Sequence, residues 1–175
     1  FNEIWELGWR TLQVCSEDTY TDTPFRERGL YAGDALPQFA ITLATAGDPR
    51  LIKRSLEVFQ HQYIQLFQPG KMKPAGTPGL LYDFPFITLE YFRWYVEYSG
   101  DIEFARELYP RYQNLVNGAL ENRDEKGLFE NLPAFVEWTK IDKHAQLTMM
   151  QALLARSFGN MAKLADMLGK EHDRQ

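Results

Sequence analysis

Apolar residues recur at helical spacing along most of the chain, and this pattern predicts six helices. The first covers residues 3–15, where Ile4, Leu7 and Leu12 fall on one face. The later helices are predicted over residues 35–46, 50–66, 86–99, 102–121 and 145–155, the last continuing toward Leu168. Segments 35–46 and 145–155 contain no charged residue, so we expect the helix over 35–46 to be buried nearly all round. Pro37 fits that helix only within its first turn.

Short corners connect the uncharged or aromatic helices to the charged ones that follow them. Gly47 and Gly100 suit the left-handed position that ends a helix. Asp48 and Asp101 are placed to cap the next helix, and Pro49 is predicted at its first position. A third corner of the same kind is Leu168-Gly169-Lys170. The order buried helix, tight turn, exposed helix therefore occurs three times.

Three long connections, over residues 16–34, 68–85 and 122–143, each lead into a buried helix. If the buried helices stand side by side, these connections meet on one rim, where loops can carry a site on a rigid scaffold. The prediction is an all-α fold, with an inner and an outer layer of helices as in an α/α toroid. Three hairpins curve only part of the way round such a ring, and six would need roughly twice this length.

Composition excludes several classes of function. The net charge is −5 with no basic block, which argues against a nucleic-acid partner. No apolar run reaches the length of a membrane span, so no membrane partner is expected. His61, His144 and His172 are scattered, Cys15 is the single cysteine, and no metal-binding or nucleophile motif is found. The cellular compartment stays open.

The stretch DTYTDTPFRERGLYAGDA, before the second predicted helix, crowds acids, arginines and aromatic rings into one connection. Asp22 and Glu27 are the pair that acid–base chemistry could use. Asp22 and Asp34 would raise the pKa of Glu27, whereas Arg26 and Arg28 would lower it. In an extended segment the two arginines would point away from Glu27. The alternatives are a solvated loop with surface ion pairs, and for Asp34 an N-cap of the next helix.

The other two connections offer fewer candidates. Asp83 and Phe84 either line the rim or start the fourth predicted helix, and the second interpretation is favoured. Trp138 is either a core residue or a platform on which a sugar face stacks. Asp142 reads best as the N-cap of the helix that follows it.

The run DTPFRERGLYAGDA resembles the signature of the bacterial α-L-rhamnosidases, glycoside hydrolase family 78. That family shows Asp-Cys-Pro, then a Glu flanked by Arg, then aromatic-x-Gly-Asp. The matching residues, in order and spacing, are Asp22-Thr23-Pro24, Arg26-Glu27-Arg28 and Tyr31-Ala32-Gly33-Asp34. The resemblance continues through YSGDIEFARELYP, FVEW and ALLARSFGNMAKLADMLGK, and so covers nearly the whole chain.

The resemblance implies an (α/α)6-barrel catalytic domain flanked by β-sandwich domains. It implies removal of terminal α-L-rhamnose with inversion and without a cofactor. By the same match, Glu27 is similar to the general acid that protonates the glycosidic oxygen. Asp22 and Asp34 match carboxylates that hold rhamnose hydroxyls, Arg26 and Tyr31 match pocket residues, and Trp138 matches a wall of the sugar pocket.

The chain departs from the family pattern in two ways. Thr23 stands where the family usually has Cys. The family's general base lies in the second half of the barrel, and the chain reaches Gln175 after three hairpins. Residues 1–175 are therefore expected to form the first half of the catalytic domain. Alone, this half is expected to be inactive and to expose apolar surface at its open edge.

Two other interpretations stay open at this point. One is a different α/α-toroid carbohydrate enzyme, such as a lyase or another exo-glycosidase. The other is a helical scaffold that binds a protein partner, in which Glu27→Gln would change nothing. Activity on rhamnosides as opposed to uronides separates the first alternative from a rhamnosidase.

Overall fold

The computed structural model describes residues 1–60, 81, 83–130, 135 and 148–174. These residues form six α-helices and a short 3₁₀ helix, with two isolated β-bridges and no β-strand among them. The helices are α1 Asn2–Val14, α2 Ala32–Thr45, α3 Arg50–Phe59, α4 Phe84–Ser99, α5 Ile102–Leu120 and α6 Thr148–Met167, and the 3₁₀ helix is Glu171–Arg174. The predicted all-α class and the helical order are confirmed. The continuation of the third helix to residue 66 and the predicted cap Asp142 lie outside the described residues.

Helix α4 stands at the centre of the packing. It contacts α2, α3, α5 and α6. Aromatic rings fill the space between these helices. Phe39 of α2 lies 4.6 Å from Tyr91 of α4, and Phe92 stacks on Tyr112 of α5 at 5.0 Å, measured between ring centroids. All four side chains are almost fully buried, so aromatic residues of the fourth helix contribute to the core, although Tyr98 near its end is 50% exposed.

The short corners have the predicted glycine geometry. Gly47, Gly100 and Gly169 adopt φ values of 65°, 68° and 69°. This left-handed conformation costs a residue with a Cβ atom more than it costs glycine, and it allows the chain to reverse directly after a helix. Asp101 then caps α5, because its Oδ1 accepts a hydrogen bond of 3.1 Å from the backbone N–H of Phe104.

The corner between α2 and α3 differs from the prediction by one residue. Helix α3 begins at Arg50, so Pro49 is the N-cap residue and not the first helical residue. Asp48 therefore precedes the N-cap position, but its side chain still binds the first N–H of the helix. Its Oδ1 accepts from the backbone N–H of Arg50 at 3.1 Å, and its carboxylate pairs with the Arg50 guanidinium at 2.6 Å. This exposed pair holds the pKa of Asp48 down, at about 2.

Helix α2 begins three residues earlier than predicted, at Ala32. Pro37 is therefore the sixth helical residue, and its predicted place in the first turn is wrong. The helix continues through it, although a proline has no N–H to donate to the Gly33 carbonyl one turn back. Asp34 is the third helical residue and Tyr31 is the N-cap residue, so the interpretation of Asp34 as an N-cap is also wrong.

The expectation that this uncharged helix is buried nearly all round is wrong as well. One stripe is buried, formed by Ala32, Ala35, Phe39 and Thr42. The opposite side is open, and Ile41 is 39% exposed. Helix α1 also carries uncovered apolar side chains, among them Ile4, Trp5 and Leu7, and Phe1 just before the helix is uncovered too. The lack of charged residues correctly predicted that α2 is apolar. Within this chain, however, other helices cover only one side of it.

The long connections lead to the same end of the helical layer. The ring of Phe84, the first residue of α4, lies 3.1 Å from the position a Cβ atom would take at Gly33 in α2. The same ring meets Phe135 of the third connection edge-on, with centroids 6.1 Å apart. Asp83 and Phe84 begin α4 as favoured. The described parts of the three connections therefore meet at one rim, as the sequence predicted.

Two properties of the described residues bear on classes of function. None of their helices has the length and hydropathy needed to cross a membrane. No group of three or more His, Cys, Asp and Glu side chains is arranged there to hold a metal ion.

Candidate active site

The connection between α1 and α2 carries the predicted acids, and Tyr20 anchors it to the core. The side chain of Tyr20 is 1% exposed, and its hydroxyl shares a hydrogen bond of 2.6 Å with Thr42 Oγ1 on α2. Its ring lies 5.0 Å from the ring of Phe39. Its backbone N–H also donates to Ser55 Oγ on α3 at 3.3 Å. The connection is thereby attached to two helices just before the acidic residues begin.

Asp22 and Gly29 close the acidic part of this connection into a loop. The backbone N–H of Asp22 donates to the Gly29 carbonyl at 2.9 Å, and the N–H of Gly29 donates to Asp22 Oδ1 at 2.7 Å. These reciprocal bonds join the two ends of residues 22–29, which we call the acid loop. Glu27 lies within it and is exposed. Because Glu27 is exposed, its carboxylate is accessible to a substrate. Because the ends of the loop are joined by hydrogen bonds, its backbone is held in position.

Arg28 attaches the acid loop to the start of the same connection, a few residues after α1 ends. Its guanidinium forms a two-point ion pair with Glu17, with contacts of 2.8 and 2.5 Å. Arg28 adopts a φ of 55°, which is uncommon for a residue with a side chain. The segment is thus bent at Arg28, and the extended geometry considered for Arg26 and Arg28 is not found. Glu17, and not Glu27, balances the charge of Arg28. The ion pair with Arg28 lowers the pKa of Glu17.

Tyr31 is where the predicted acids converge. It is half-buried, and its pKa is raised to about 12 by burial, by a hydrogen bond to Glu27 and by the negative charges of Glu27, Asp22 and Asp34. A tyrosine in this setting keeps its proton across the neutral range and remains a hydrogen-bond donor. The fold therefore brings Asp22, Glu27, Tyr31 and Asp34 into one electrostatic neighbourhood.

Three predicted site residues remain, and each has a different outcome. Arg26 is exposed, and the described part of the chain gives it no hydrogen bond or ion pair with which to assign a role. Trp138 lies outside the described residues. Asp34 is exposed in the first turn of α2, where a negative charge is favoured by the helix dipole.

Several residues that support the site were not identified from the sequence. Gly29 closes the acid loop, and a Cβ atom there would lie 2.9 Å from the Tyr31 ring. Glu17 holds Arg28, and Gln38 on α2 donates to the Thr21 carbonyl at 2.8 Å. The only signal in the sequence was a glycine next to a crowded charged run. Long-range partners such as Glu17 and Gln38 leave no local pattern.

The site combines a proton donor or acceptor with groups that bind polar ligands. The exposed carboxylates of Glu27 and Asp34 and the partly buried carboxylate of Asp22 can accept hydrogen bonds from several hydroxyl groups of one ligand. Tyr31 supplies a hydroxyl donor and an aromatic face beside them. Such a set suits a neutral, hydroxyl-rich molecule and an acid-assisted bond cleavage.

Comparison with known proteins agrees with this chemistry. Residues 1–175 match the family described as the bacterial alpha-L-rhamnosidase 6 hairpin glycosidase domain. The fold is similar to that of a GH78 family rhamnosidase of Bacillus sp. GL1, with a TM-score of 0.82 and 20% identity over 97% of this chain and 18% of that one. It is also similar to a rhamnosidase from Klebsiella oxytoca with rhamnose bound, with a TM-score of 0.77 and 23% identity over 94% of this chain and 33% of that one. No curated protein matches the chain.

At these identities the similarity to the two solved structures concerns the fold alone. It confirms the predicted α/α-toroid arrangement of helical hairpins. The chain spans 18% and 33% of the lengths of the two rhamnosidases, so most of each of those proteins has no counterpart in it.

Proposed function

Since this chain belongs to the family of bacterial α-L-rhamnosidase six-hairpin glycosidase domains, we propose that it contributes the acid side of a site that hydrolyses α-L-rhamnosides. In this proposal Glu27 is the general acid. It protonates the glycosidic oxygen as the bond to the sugar breaks, while a water molecule attacks the anomeric carbon from the opposite face. The product then has the inverted configuration.

The proposal assigns residues 1–175 to the first half of an (α/α)6 catalytic domain in a larger parent protein. Two observations support it: the share of each solved rhamnosidase that the chain spans, and the uncovered apolar side chains of α1 and α2. The general base would then come from the second half of the barrel. Inverting enzymes keep acid and base roughly 6.5–9.5 Å apart so that a water fits between them. The parent is proposed to carry β-sandwich domains as well.

The sugar-binding roles follow from the same assignment. Asp22 and Asp34 would accept hydrogen bonds from rhamnose hydroxyls, because both are carboxylates in the neighbourhood of Glu27. Arg26 would reach the ligand from the exposed side of the acid loop. Trp138 is proposed as a wall of the pocket, on the family match.

One observation carries the proposal beyond family membership. The acid loop is closed by paired hydrogen bonds between Asp22 and Gly29, at 2.9 and 2.7 Å, and Glu27 lies inside it within reach of Tyr31. Two of the three carboxylates matched to the family, Asp22 and Glu27, are therefore part of one fixed structural unit. The alternative interpretation, a solvated loop with surface ion pairs, would not require hydrogen bonds that join the two ends of the loop.

The test uses the parent protein and a panel of aryl glycosides that includes α-L-rhamnoside. Wild-type protein is expected to cleave the rhamnoside, and proton NMR of the first-formed sugar is expected to show the inverted anomer. On a rhamnoside with a poor leaving group, Glu27→Gln should reduce the rate by roughly 10²–10⁴-fold, the range for loss of a general acid. The matched control Glu3→Gln, at an exposed position of α1, should leave the rate unchanged.

Each contrary result has a definite meaning. A retained anomer would contradict inversion. A full rate of Glu27→Gln on a rhamnoside with a poor leaving group would remove Glu27 from the mechanism. Cleavage of another glycoside or a uronide in place of rhamnoside would favour a different α/α-toroid enzyme. Absence of any cleavage by wild-type protein would favour a binding scaffold.

A further inference from the structure

Phe25 is the apolar side chain that the acid loop presents to solvent. It is 93% exposed, and among the large apolar side chains of the described residues only that of Phe1 is more exposed, at 97%. The other two aromatic residues of the connection differ from it, since Tyr20 is buried and Tyr31 is half-buried. Phe25 is thus the aromatic residue of this connection whose ring is open to a ligand.

The backbone that carries Phe25 is held on both sides. The ends of the acid loop are joined by the two hydrogen bonds between Asp22 and Gly29, at 2.9 and 2.7 Å. Pro24, directly before Phe25, has a fixed φ, which removes backbone freedom at that point. Single exposed apolar residues are common on protein surfaces and need no explanation. Phe25 differs from them because it is presented at a defined place, on the loop that carries the acid.

The order of residues along the acid loop places Phe25 on a particular side of Glu27. Asp22 and Gly29 form the base of the loop, and Phe25 and Arg26 are its two central residues, farthest from the base along the chain. Glu27 lies between this tip and the base. Its Cα atom is at most about 7.6 Å from that of Phe25, because consecutive Cα atoms are about 3.8 Å apart. One small molecule can therefore contact both side chains.

The glycosidic oxygen divides the substrate into the sugar and its leaving group. In the proposed function Glu27 protonates this oxygen, while Asp22 and Asp34 bind the sugar. Both of these carboxylates lie toward α2, since Asp22 is at the base of the loop and Asp34 is in the first turn of that helix. A sugar bound there extends its leaving group past Glu27 toward the tip of the loop, where Phe25 lies.

We propose that Phe25 is a specificity-determining residue that contacts the leaving group and favours one that carries an aromatic ring. This inference rests on the proposed function, because Glu27 defines which part of the substrate lies beside the loop tip. A second ring packed against the exposed ring of Phe25 removes apolar area of both from water. Aromatic pairs gain further from edge-to-face or offset stacking. A short alkyl leaving group gains little from either effect.

The test compares two alkyl rhamnosides in the parent protein, one with 2-phenylethanol as its leaving group and one with ethanol. Both leaving groups need the acid, so the ratio of their kcat/KM values reports the contact with the ring. This ratio should be about threefold to tenfold higher in wild type than in Phe25→Ala, the contribution of an aromatic pair. The ring is in contact before and during the reaction, so the change should appear in KM and not in kcat. Phe25→Trp, which keeps an aromatic ring, should retain the wild-type preference.

Two controls separate this role from a structural one. In Phe25→Ala the ethyl rhamnoside should keep its wild-type kcat/KM, and free rhamnose should inhibit as strongly as it does in wild type, because neither contains the ring. Tyr98→Ala removes a half-exposed ring near the end of α4. In this variant the ratio for the two substrates should be that of wild type.

Two results would overturn the inference. Equal losses on both substrates in Phe25→Ala would show that the ring supports the loop or packs against another part of the parent. An unchanged ratio would show that the ring does not contact the leaving group. Failure of the proposed function is separate, because wild-type protein would then cleave neither rhamnoside.

A binding measurement does not depend on cleavage. Calorimetric titration of the Glu27→Gln parent with each rhamnoside gives the affinity for the intact substrate. Adding Phe25→Ala to this variant should weaken binding of the phenylethyl rhamnoside about threefold to tenfold and leave that of the ethyl rhamnoside unchanged. Equal affinities of the two proteins for the phenylethyl rhamnoside would contradict the role of Phe25, whether or not Glu27 is the acid.

Discussion

Removing the hydroxyl of Tyr20 tests whether one buried anchor keeps the acid loop in place. Tyr20→Phe preserves the ring packing against Phe39 and deletes the hydrogen bond of 2.6 Å to Thr42 Oγ1. The acid loop itself is untouched. Two backbone bonds next to the anchor report on the loop, from Thr21 N–H to the Cys15 carbonyl and from Asp22 N–H to the Gly29 carbonyl, both 2.9 Å.

The magnitude follows from what the substitution leaves behind. A buried hydroxyl that loses its partner costs about 1–3 kcal/mol. Thr42 lies within a helix and can turn its hydroxyl to the carbonyl four residues back, which limits the loss to about 1 kcal/mol. Since 1.4 kcal/mol is a factor of ten, local opening of the connection should become about fivefold more frequent. Tyr20→Ala, which also removes the ring, should cost about 3–5 kcal/mol.

Hydrogen exchange followed by mass spectrometry measures this opening. In Tyr20→Phe, amides of the peptide covering residues 16–31 should exchange about fivefold faster, whereas peptides from α5 should not change. Thr42→Val should have a similar effect, and the double variant should be no worse than either single one, because all three lose the same bond. Unchanged exchange in residues 16–31, or strict additivity of the two substitutions, would contradict the role of this bond as the anchor.

Two further predictions concern stability. Asp101 caps α5 and pairs with Lys53 at 2.7 Å, so Asp101→Ala should lower the free energy of unfolding by about 1–2 kcal/mol in denaturant titration. The ion pair with Lys53 lowers the pKa of Asp101. The stabilisation by the Asp101 carboxylate should therefore be present at neutral pH and lost as the pH falls below the ordinary Asp value of 3.8. If Asp101→Ala destabilised the protein equally at neutral and at strongly acid pH, this reasoning would be contradicted. Thr23 buries a hydroxyl without a hydrogen-bond partner among the described residues, so Thr23→Val should raise thermal stability by up to about 1 kcal/mol. Thr21→Val should lower thermal stability, because the Thr21 hydroxyl donates a hydrogen bond to the Cys15 carbonyl. If both valine substitutions changed thermal stability in the same direction, the reasoning would be refuted.

The fold could be predicted from sequence because its signals are local. Helical spacing, glycines at 47, 100 and 169, and aspartate at 101 each act over a few residues, and each has its predicted effect. The rim could be inferred because long and short connections alternate along the chain. Burial of α2 could not be inferred, since a sequence without charge shows that a helix is apolar and not how much of it is covered.

The start of α2 shows a second limit of local patterns. A proline and an aspartate near a helix end favoured a start at residue 35, whereas α2 starts at Ala32. Tertiary packing accounts for the difference, because the Phe84 ring lies against Gly33 and so holds that turn beside α4. The proposed acid Glu27 was identified from a motif. The support of its loop by Glu17, Gln38 and Gly29 depends on contacts between distant or irregular segments.

The central claim is that Glu27 delivers the proton to the leaving group, and the dependence of rate on the leaving group measures this most directly. In the parent protein, kcat/KM for a series of aryl α-L-rhamnosides should vary little with the pKa of the phenol, because Glu27 compensates for a poor leaving group. In Glu27→Gln the rate should fall steeply as that pKa rises, and the best leaving groups should be cleaved nearly as fast as by wild type. Parallel plots for the two proteins would contradict the account.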